Sequence, residues 1–418
     1  MGARRLLGAA GLGVVVSGVL VQIYLAVVAR ALPPAEYATF GSFWAVALVL
    51  GFGAFLPLEQ QLAQRLPLSR DREAVLRAAA TSAAALAGLA LVLLLAASGV
   101  VLRALDGNLS AFTALGVLCV VSAVQFLLRG TLIGTDRLVR HAAVMILDAL
   151  LRLGLAVGVL VLSGSAAAFC WALVLAIAAA HVPGLPTAWR RAARSGPAPT
   201  AAAPGSPPVR GRQVIAASAP LLVGSACAQL LLNGLPVLVV ATALDGQAAA
   251  GVFVAAFTLA KAPLSMVVPL QSAVVPSLTR LIAAGRRRDV IRLLARGVAV
   301  MVALVAVGVP TAWVVGPRLI ALVYGSDYVI GGLDLALITA GVLTHVGLVV
   351  LTQVHVARGR HVDVGLSWAV ALGVAAVVFV AVSEPVRAAE TAFLLGSAAG
   401  AFGSCVILAV PRRRRPAP

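Results

Sequence analysis

Twelve apolar stretches, each long enough to cross a bilayer, constrain this chain more than any other feature. They cover residues 6–29, 38–58, 78–102, 109–128, 142–162, 166–187, 214–242, 250–278, 297–316, 330–355, 362–383 and 388–410. About 20 apolar residues suffice to cover the hydrocarbon core. The expectation is an all-α polytopic membrane protein with twelve transmembrane helices, with little chain left over for a soluble domain.

Basic residues alternate between the two sides. The N-terminus, the even-numbered loops and the C-terminus hold 26 of the 32: Arg4 and Arg5; Arg65, Arg70, Arg72 and Arg77; Arg129, Arg137 and Arg140; Arg190, Arg191, Arg194, Arg210 and Arg212; Arg280, Arg286, Arg287, Arg288, Arg292 and Arg296; Arg358 and Arg360; and Arg412 to Arg415. The opposite side holds Arg30, Arg103, Arg318 and Arg387, and the remaining two, Arg152 and Lys261, fall inside spans. The positive-inside bias then puts both termini in the cytoplasm. Lys261 is the single lysine, against 31 arginines, and with the abundant alanine this points to a GC-rich bacterial genome and so to a bacterial inner membrane.

A net charge of +18 ordinarily raises nucleic acid as a partner. Here the arginines are scattered over seven cytoplasmic segments and topology accounts for them, so no nucleic acid is expected; anionic membrane lipids are the partners such an excess attracts. Cys119, Cys170, Cys227 and Cys405 all lie within spans, which indicates packing residues rather than disulfides or a metal cluster. No cofactor is implied. The first span is too long for the h-region of a signal peptide and reads as a retained helix.

The longest cytoplasmic connection, 189–212, is rich in Pro, Ala, Gly and Ser and reads as a flexible linker. It divides the chain into an N-terminal six-helix bundle, 1–188, and a C-terminal six-helix bundle with a basic tail, 213–418. Both begin in the cytoplasm, as in a parallel repeat about an axis along the membrane normal. Val27-Val28-Ala29-Arg30-Ala31-Leu32 at the end of span 1 matches Val239-Val240-Ala241-Thr242-Ala243-Leu244 at the end of span 7 in five of six positions. Substrate sites in such repeats lie near the midplane, beside helices interrupted by Gly or Pro. By that criterion the interrupted spans are the first (Gly8, Gly11, Gly13, Gly18), the seventh (Pro220, Pro236) and the eighth (Pro263, Pro269, Pro276).

Short motifs carry a family resemblance. Ala29-Arg30-Ala31-Leu32-Pro33-Pro34-Ala35-Glu36-Tyr37-Ala38-Thr39-Phe40 resembles the A-R-x-L-G-x-x-E-Y-G-x-F junction of the polysaccharide-biosynthesis flippases, with Pro33 and Ala38 in place of two glycines. These belong to the multidrug/oligosaccharidyl-lipid/polysaccharide exporter superfamily. Arg129-Gly130-Thr131-Leu132-Ile133-Gly134, Ala250-Gly251-Val252-Phe253 leading to Pro276-Ser277-Leu278, and the L-x-Y-G-x-x-Y turn at Leu322 to Tyr328 are similar to further parts of the family pattern. The resemblance implies a V-shaped pair of six-helix bundles that moves an undecaprenyl-pyrophosphate-linked oligosaccharide across the inner membrane, with glycosyltransferases and a polysaccharide polymerase as companions.

Polar residues inside the spans are the candidate site. Lys261 falls about 16 Å into span 8 at 1.5 Å per residue, where a charge is costly unless it meets water or a partner. It is either a cavity cation for the pyrophosphate or half of a structural ion pair. Asp148 and Arg152, four apart on span 5, share a helix face and either neutralise each other or charge the cavity. Gln229 and Asn233 form a similar i, i+4 pair on span 7. With Gln22 they are cavity-lining candidates; the alternative, which also covers Gln125, Gln271 and Gln353, is hydrogen bonding between helices. Glu59 reads as a solvated helix end, with a coupling carboxylate as the alternative, and His345 as either a titrating group or an interhelical hydrogen-bonding one. Residues 278–296 read as an amphipathic surface segment.

Three other functions compete. An integral-membrane glycosyltransferase or ligase would need clustered acids or a large outer loop, and the outer loops here are short with dispersed acids. A cation-coupled multidrug antiporter of the same superfamily needs intramembrane carboxylates. A non-transporting scaffold for glycan assembly needs neither. The orientation itself is testable: cysteines introduced at Pro204 and near the C-terminus are expected to react with an impermeant thiol reagent only after the cell is opened, and labelling of either in intact cells reverses the topology.

Overall fold

Hydrocarbon offers no water to a polar backbone, so a segment that crosses it as a helix satisfies its own N–H and C=O groups. A computed structural model of the chain describes residues 3–69, 71–162, 164–194, 222–243, 246–264, 286–358 and 360–409, and every regular element among them is helical. Among the described residues eleven helices are long and apolar enough to cross a membrane. The eighth expected span is described only as α11 (Gln247–Ala260) and the turn to Leu264. Pro269, Gln271, Pro276, Pro220, most of the 189–212 linker, the first part of 278–296 and the C-terminal arginines lie outside the described residues.

The chain is a multi-pass membrane protein of two compact units. The first comprises the described residues through Leu259 together with Leu319–Val329. It holds α1 (Ala3–Ala31), α2 (Pro34–Leu48), α3 (Leu56–Arg65), α4 (Arg72–Ala96), α5 (Ser98–Ala104), α6 (Leu109–Gly134), α7 (Leu138–Val161), α8 (Ala166–His181), α9 (Leu185–Arg194), α10 (Leu222–Thr242) and α11. The second, Ala260–Arg318 with Ile330–Pro418, holds most of α12 (Arg287–Tyr324), then α13 (Gly332–Ala357), α14 (His361–Ala381) and α15 (Pro385–Ala409). What is described of the expected surface segment, from Arg287 on, forms the first turns of the continuous helix α12.

Several helices outrun their apolar runs. The second span extends from Pro34 to Leu68 and the fourth from Leu109 to Gly134. Two helix starts are capped by side chains: at α4 Asp71 accepts from the Ala74 N–H and at α6 Asn108 accepts from the Ala111 N–H, both at 2.9 Å, which satisfies otherwise orphaned donors. Many valines and leucines face outward, among them Val302, Val307, Val314 and Val380. In water such an apolar surface would be a liability; in a bilayer it is the lipid contact.

Lipid tails are as apolar as leucine, so helices associate through close approach and small residues. A Cβ on Gly130 of α6 would stand 3.1 Å from the Glu59 carbonyl, and one on Gly134 3.0 Å from that of Leu62. These two glycines let α6 lie against the backbone of α3. In the second unit Gly396 and Gly400 do the same for α15 against α14, where a Cβ would meet the Ala371 carbonyl at 2.6 Å and the Ser367 carbonyl at 3.0 Å.

The helix interruptions fall differently from the expectation. Span 1 is one continuous helix despite its glycines. Span 2 is interrupted instead, by a π-helical segment, Val49–Phe55, just before Pro57, and span 7 carries a second, Leu230–Gly234, just before Pro236. Proline lacks an N–H and crowds the preceding turn, and a widened turn accommodates both defects.

Replacing Gly130 with valine is expected to force α6 from α3 and cost about 1–3 kcal/mol by overpacking, read as a lower Tm of the purified protein. Gly99→Ala, where a Cβ meets open space, should leave Tm within a degree or two of the parent. Equal behaviour of the two variants would refute the close-approach account.

Candidate functional site

The interior of the first unit carries the densest polar constellation. α7 presents Asp148 and Arg152 on one face, 5% and 9% exposed. Arg152 Nε donates to Asp148 Oδ1 at 3.0 Å and its Nη2 to Oδ2, a bidentate fork that is the strong form of this contact. The guanidinium also lies over the Trp44 ring, 5.8 Å from its centroid, a cation–π arrangement. Tyr24 of α1 packs against the same Trp44, ring centroids 6.1 Å apart, and its buried hydroxyl finds no hydrogen-bond partner among the described residues. Beside Arg152 is a cavity of about 40 Å³ whose polar lining is Ser122, Gln125, Trp44 and Arg152. It has room for about one water, whose share of liquid volume is ~30 Å³.

Glu59 corrects the sequence reading. It is not a solvated helix end: it is 6% exposed and pairs with Arg129 at 3.0 Å, Nε to Oε2. Arg129 is buried inside α6, under the Phe126 ring at 5.1 Å, instead of lying in a cytoplasmic loop. The glycines of the Arg129–Gly134 motif explain the pair, because they bring α6 close enough to α3 for the two side chains to meet. The i, i+4 logic that flagged Asp148 and Arg152 could not flag partners seventy positions apart.

The two π segments face each other. A Cβ on Gly53 would lie 3.7 Å from Gln229 Cβ and 3.8 Å from Ala226 Cα. Phe52 stands five residues before Pro57, the spacing of a π-helical hydrogen bond, and Pro57 has no N–H to give. Ser225 Oγ donates to the Phe52 carbonyl instead, at 3.1 Å. Next to it Asn233 Nδ2 donates to Gln229 Oε1 at 2.8 Å, so these two candidates are brought together within their own helix. The signal missed in span 2 was Gly51 and Gly53 followed by Pro57, the same Gly-then-Pro pattern as Gly234 and Pro236 in span 7.

The other candidates are dispersed. Gln22 sits on α1, its amide oxygen buried without a hydrogen-bond partner among the described residues. Lys261 is half-buried in the turn directly after α11, in the second unit by its contacts, whereas the other five candidates belong to the first. His345 is buried with Nδ1 3.4 Å from Ser397 Oγ and its ring between Trp368 and Phe393, an interhelical position.

The remaining motifs converge on one place in the first unit. Tyr328 Oη donates to the carbonyls of Ala29 and Leu32 at 2.9 and 3.0 Å, and Arg30 Nε to that of Val323 at 2.9 Å. Tyr37 packs edge-on to Tyr328, centroids 5.7 Å apart. A Cβ on Gly251 would collide with the Pro34 carbonyl. Gly325, at φ 114°, ends α12 in a conformation that favours glycine. These residues clamp helix ends and present no open cavity of their own.

No protein-family model matches the chain. A Mycobacterium tuberculosis protein, Rv1510, itself uncharacterised, is 29% identical over 358 residues, 84% of this chain and 79% of that one. Among solved structures the chain is similar to a multidrug resistance MATE family transporter of the MOP superfamily in its inward-facing conformation, with a TM-score of 0.64 at 14% identity over 98% of this chain and 96% of that one. It is also similar to a MOP superfamily transporter from Pyrococcus furiosus, for which reverse polarity of the binding pocket is described as suggesting a different function; the TM-score is 0.59 at 13% identity over 96% of this chain and 94% of that one. Identities this low establish the fold: two solved MOP-superfamily transporters share it with this chain.

Removing one member of a buried ion pair strands the other. Arg152→Gln is therefore expected to destabilise the protein by about 3–5 kcal/mol, seen as low abundance in the membrane, while Arg152→Gln combined with Asp148→Asn recovers much of the loss. A double variant no more abundant than the single one would show that the pair is not what stabilises α7.

Proposed function

We propose that this protein is a transporter that moves an undecaprenyl-pyrophosphate-linked oligosaccharide across the bacterial inner membrane by alternating access. One observation carries the anionic choice. The four buried carboxylates among the described residues, Glu59, Asp148, Asp363 and Glu390, each lie within ion-pair distance of an arginine: Arg129, Arg152, Arg360 and Arg387. A cation exchanger works through carboxylates that attract cargo and exchange it for protons or sodium. Among the described residues the buried acids are already matched by arginines, and Lys261 is the basic candidate that the sequence places inside span 8. The reverse pocket polarity described for the Pyrococcus furiosus neighbour is in line with such a balance.

In this reading the pyrophosphate enters a polar interior while the polyprenyl tail stays in lipid. Glycosyltransferases supply the carrier-linked glycan and a polymerase consumes it. Rocking of repeats about a midplane site would draw on the weakened helical ladder at the π segments and their prolines. The second reading, a cation-coupled drug antiporter, rests on the likeness to a MATE transporter.

Deleting the gene is expected to make a lipid-linked oligosaccharide accumulate on the cytoplasmic leaflet and to deplete the matching surface polysaccharide. Complementation with Lys261→Ala should restore much less surface polymer than the parent gene at near-normal membrane abundance, with Lys261→Arg intermediate. Unchanged glycans together with raised sensitivity to cationic drugs would replace the flippase with the antiporter.

A further inference from the structure

The strongest feature that the transport reading leaves unused is a basic cavity at the connection between α6 and α7. The connection is tight: Asp136 N–H donates to the Ile133 carbonyl at 3.0 Å and Arg137 N–H to that of Leu132 at 2.8 Å. Asp136 adopts φ 56°, a left-handed conformation that aspartate tolerates better than most residues. This fixes Asp136 and Arg137 immediately before α7. α9 lies across the same end of the unit, held by buried Ala188 and Ala192, and its exposed side carries Arg191. Together these elements line a cavity of about 530 Å³ formed by Asp136, Arg137, Leu138, Val139, Arg140 and Arg191.

Three guanidinium groups and one carboxylate share that space. Partial burial, and then repulsion from Arg140 and Arg191, hold the Arg137 guanidinium below its ordinary pKa. Several other arginines pair with an acid: Arg77 with Glu73, Arg129 with Glu59, Arg152 with Asp148, Arg286 and Arg292 with Asp289, Arg360 with Asp363 and Arg387 with Asp334 and Glu390. Arg137 and Arg140 enter none of the ion pairs of the described residues. The cavity also sits at the start of a 24-residue helix, whose first N–H groups lack intrahelical acceptors and carry the positive end of the dipole. Forked guanidiniums beside free backbone N–H groups match the oxygens of a phosphate. The volume falls in the range of small-molecule sites, about 300–1,000 Å³, and exceeds what a bare inorganic ion fills. The cavity lies at the connection between two helices long and apolar enough to cross a membrane, a place where a lipid headgroup is at hand.

We propose that this cavity binds the phosphate-bearing headgroup of a membrane lipid in the cytoplasmic leaflet. Two sources share that chemistry: an anionic phospholipid of the bulk membrane, or the pyrophosphate of a polyprenyl carrier waiting to be transported. Only the second source rests on the transport reading.

The test uses the full-length protein in phosphatidylcholine nanodiscs, with native mass spectrometry after adding phosphatidylglycerol or undecaprenyl pyrophosphate. The triple variant Arg137→Gln, Arg140→Gln, Arg191→Gln is expected to retain at least about tenfold less of the bound lipid, a factor that one or two lost charge-assisted contacts supply. The triple Arg→Lys variant, which keeps charge without the fork, should be intermediate and guards against misfolding. Arg77→Gln, outside the cavity, should bind as the parent does. Loss confined to undecaprenyl pyrophosphate identifies the carrier, loss confined to phosphatidylglycerol identifies a bulk lipid, and loss of both identifies a general phosphate site. Phosphatidylglycerol binding that depends on these arginines would stand even if the glycan assays went against the flippase. Parental retention of both lipids by the triple Gln variant, or an equal loss in Arg77→Gln, overturns the site.

Discussion

Everything in this fold follows from the absence of water in hydrocarbon. A backbone group left unpaired there costs several kcal/mol, so the described residues within the spans are helical almost throughout, and each departure from the α-helix needs a local remedy. The π segments show the remedy at work. Pro57 withholds an N–H from the turn before it, and a serine from another helix, Ser225, supplies a hydroxyl to the Phe52 carbonyl. The defect in span 2 is thereby tied to α10, and the interruption becomes a point of assembly.

The same absence of water changes what holds helices together. With lipid as apolar as the protein interior, burying leucine gains little and close packing gains more. Glycines at four-residue spacing recur where helices pack closely, at Gly130 and Gly134 and again at Gly396 and Gly400. Close approach has an electrostatic consequence, because it lets Arg129 and Glu59 meet away from solvent. Burying such a pair carries a desolvation cost that the contact only partly offsets. The pairs therefore argue less for extra stability than for an interior whose acids are spoken for.

Eleven of the twelve expected spans were legible in the sequence as span-length helices, because a run of apolar residues encodes a crossing directly, whereas several helix ends lay beyond the apolar run. Asp148 with Arg152, and Gln229 with Asn233, were legible because partners four apart on a helix must share a face. Glu59 was misread because its partner lies seventy residues away and only the approach of α6 to α3 joins them. Span 1 was misread as interrupted because glycine permits a break without requiring one, whereas Pro57 and Pro236 remove a donor outright. Hydropathy alone gave Arg129 to a loop, since the apolar run ends before the helix does.

By itself, then, the sequence determined that the chain crosses a membrane many times as helices, because each segment can satisfy its own backbone and the apolar count is a local property. It also carried the motifs at Ala29 to Phe40, Ala250 to Phe253 and Leu322 to Tyr328, without revealing that they meet. Only the tertiary structure decided that these motifs clamp helix ends, that the buried acids among the described residues are each matched by an arginine, and that Arg137, Arg140 and Arg191 surround one cavity. Charge compensation and cavity formation depend on distances between residues far apart in the chain, and those distances are set by how closely the helices can pack.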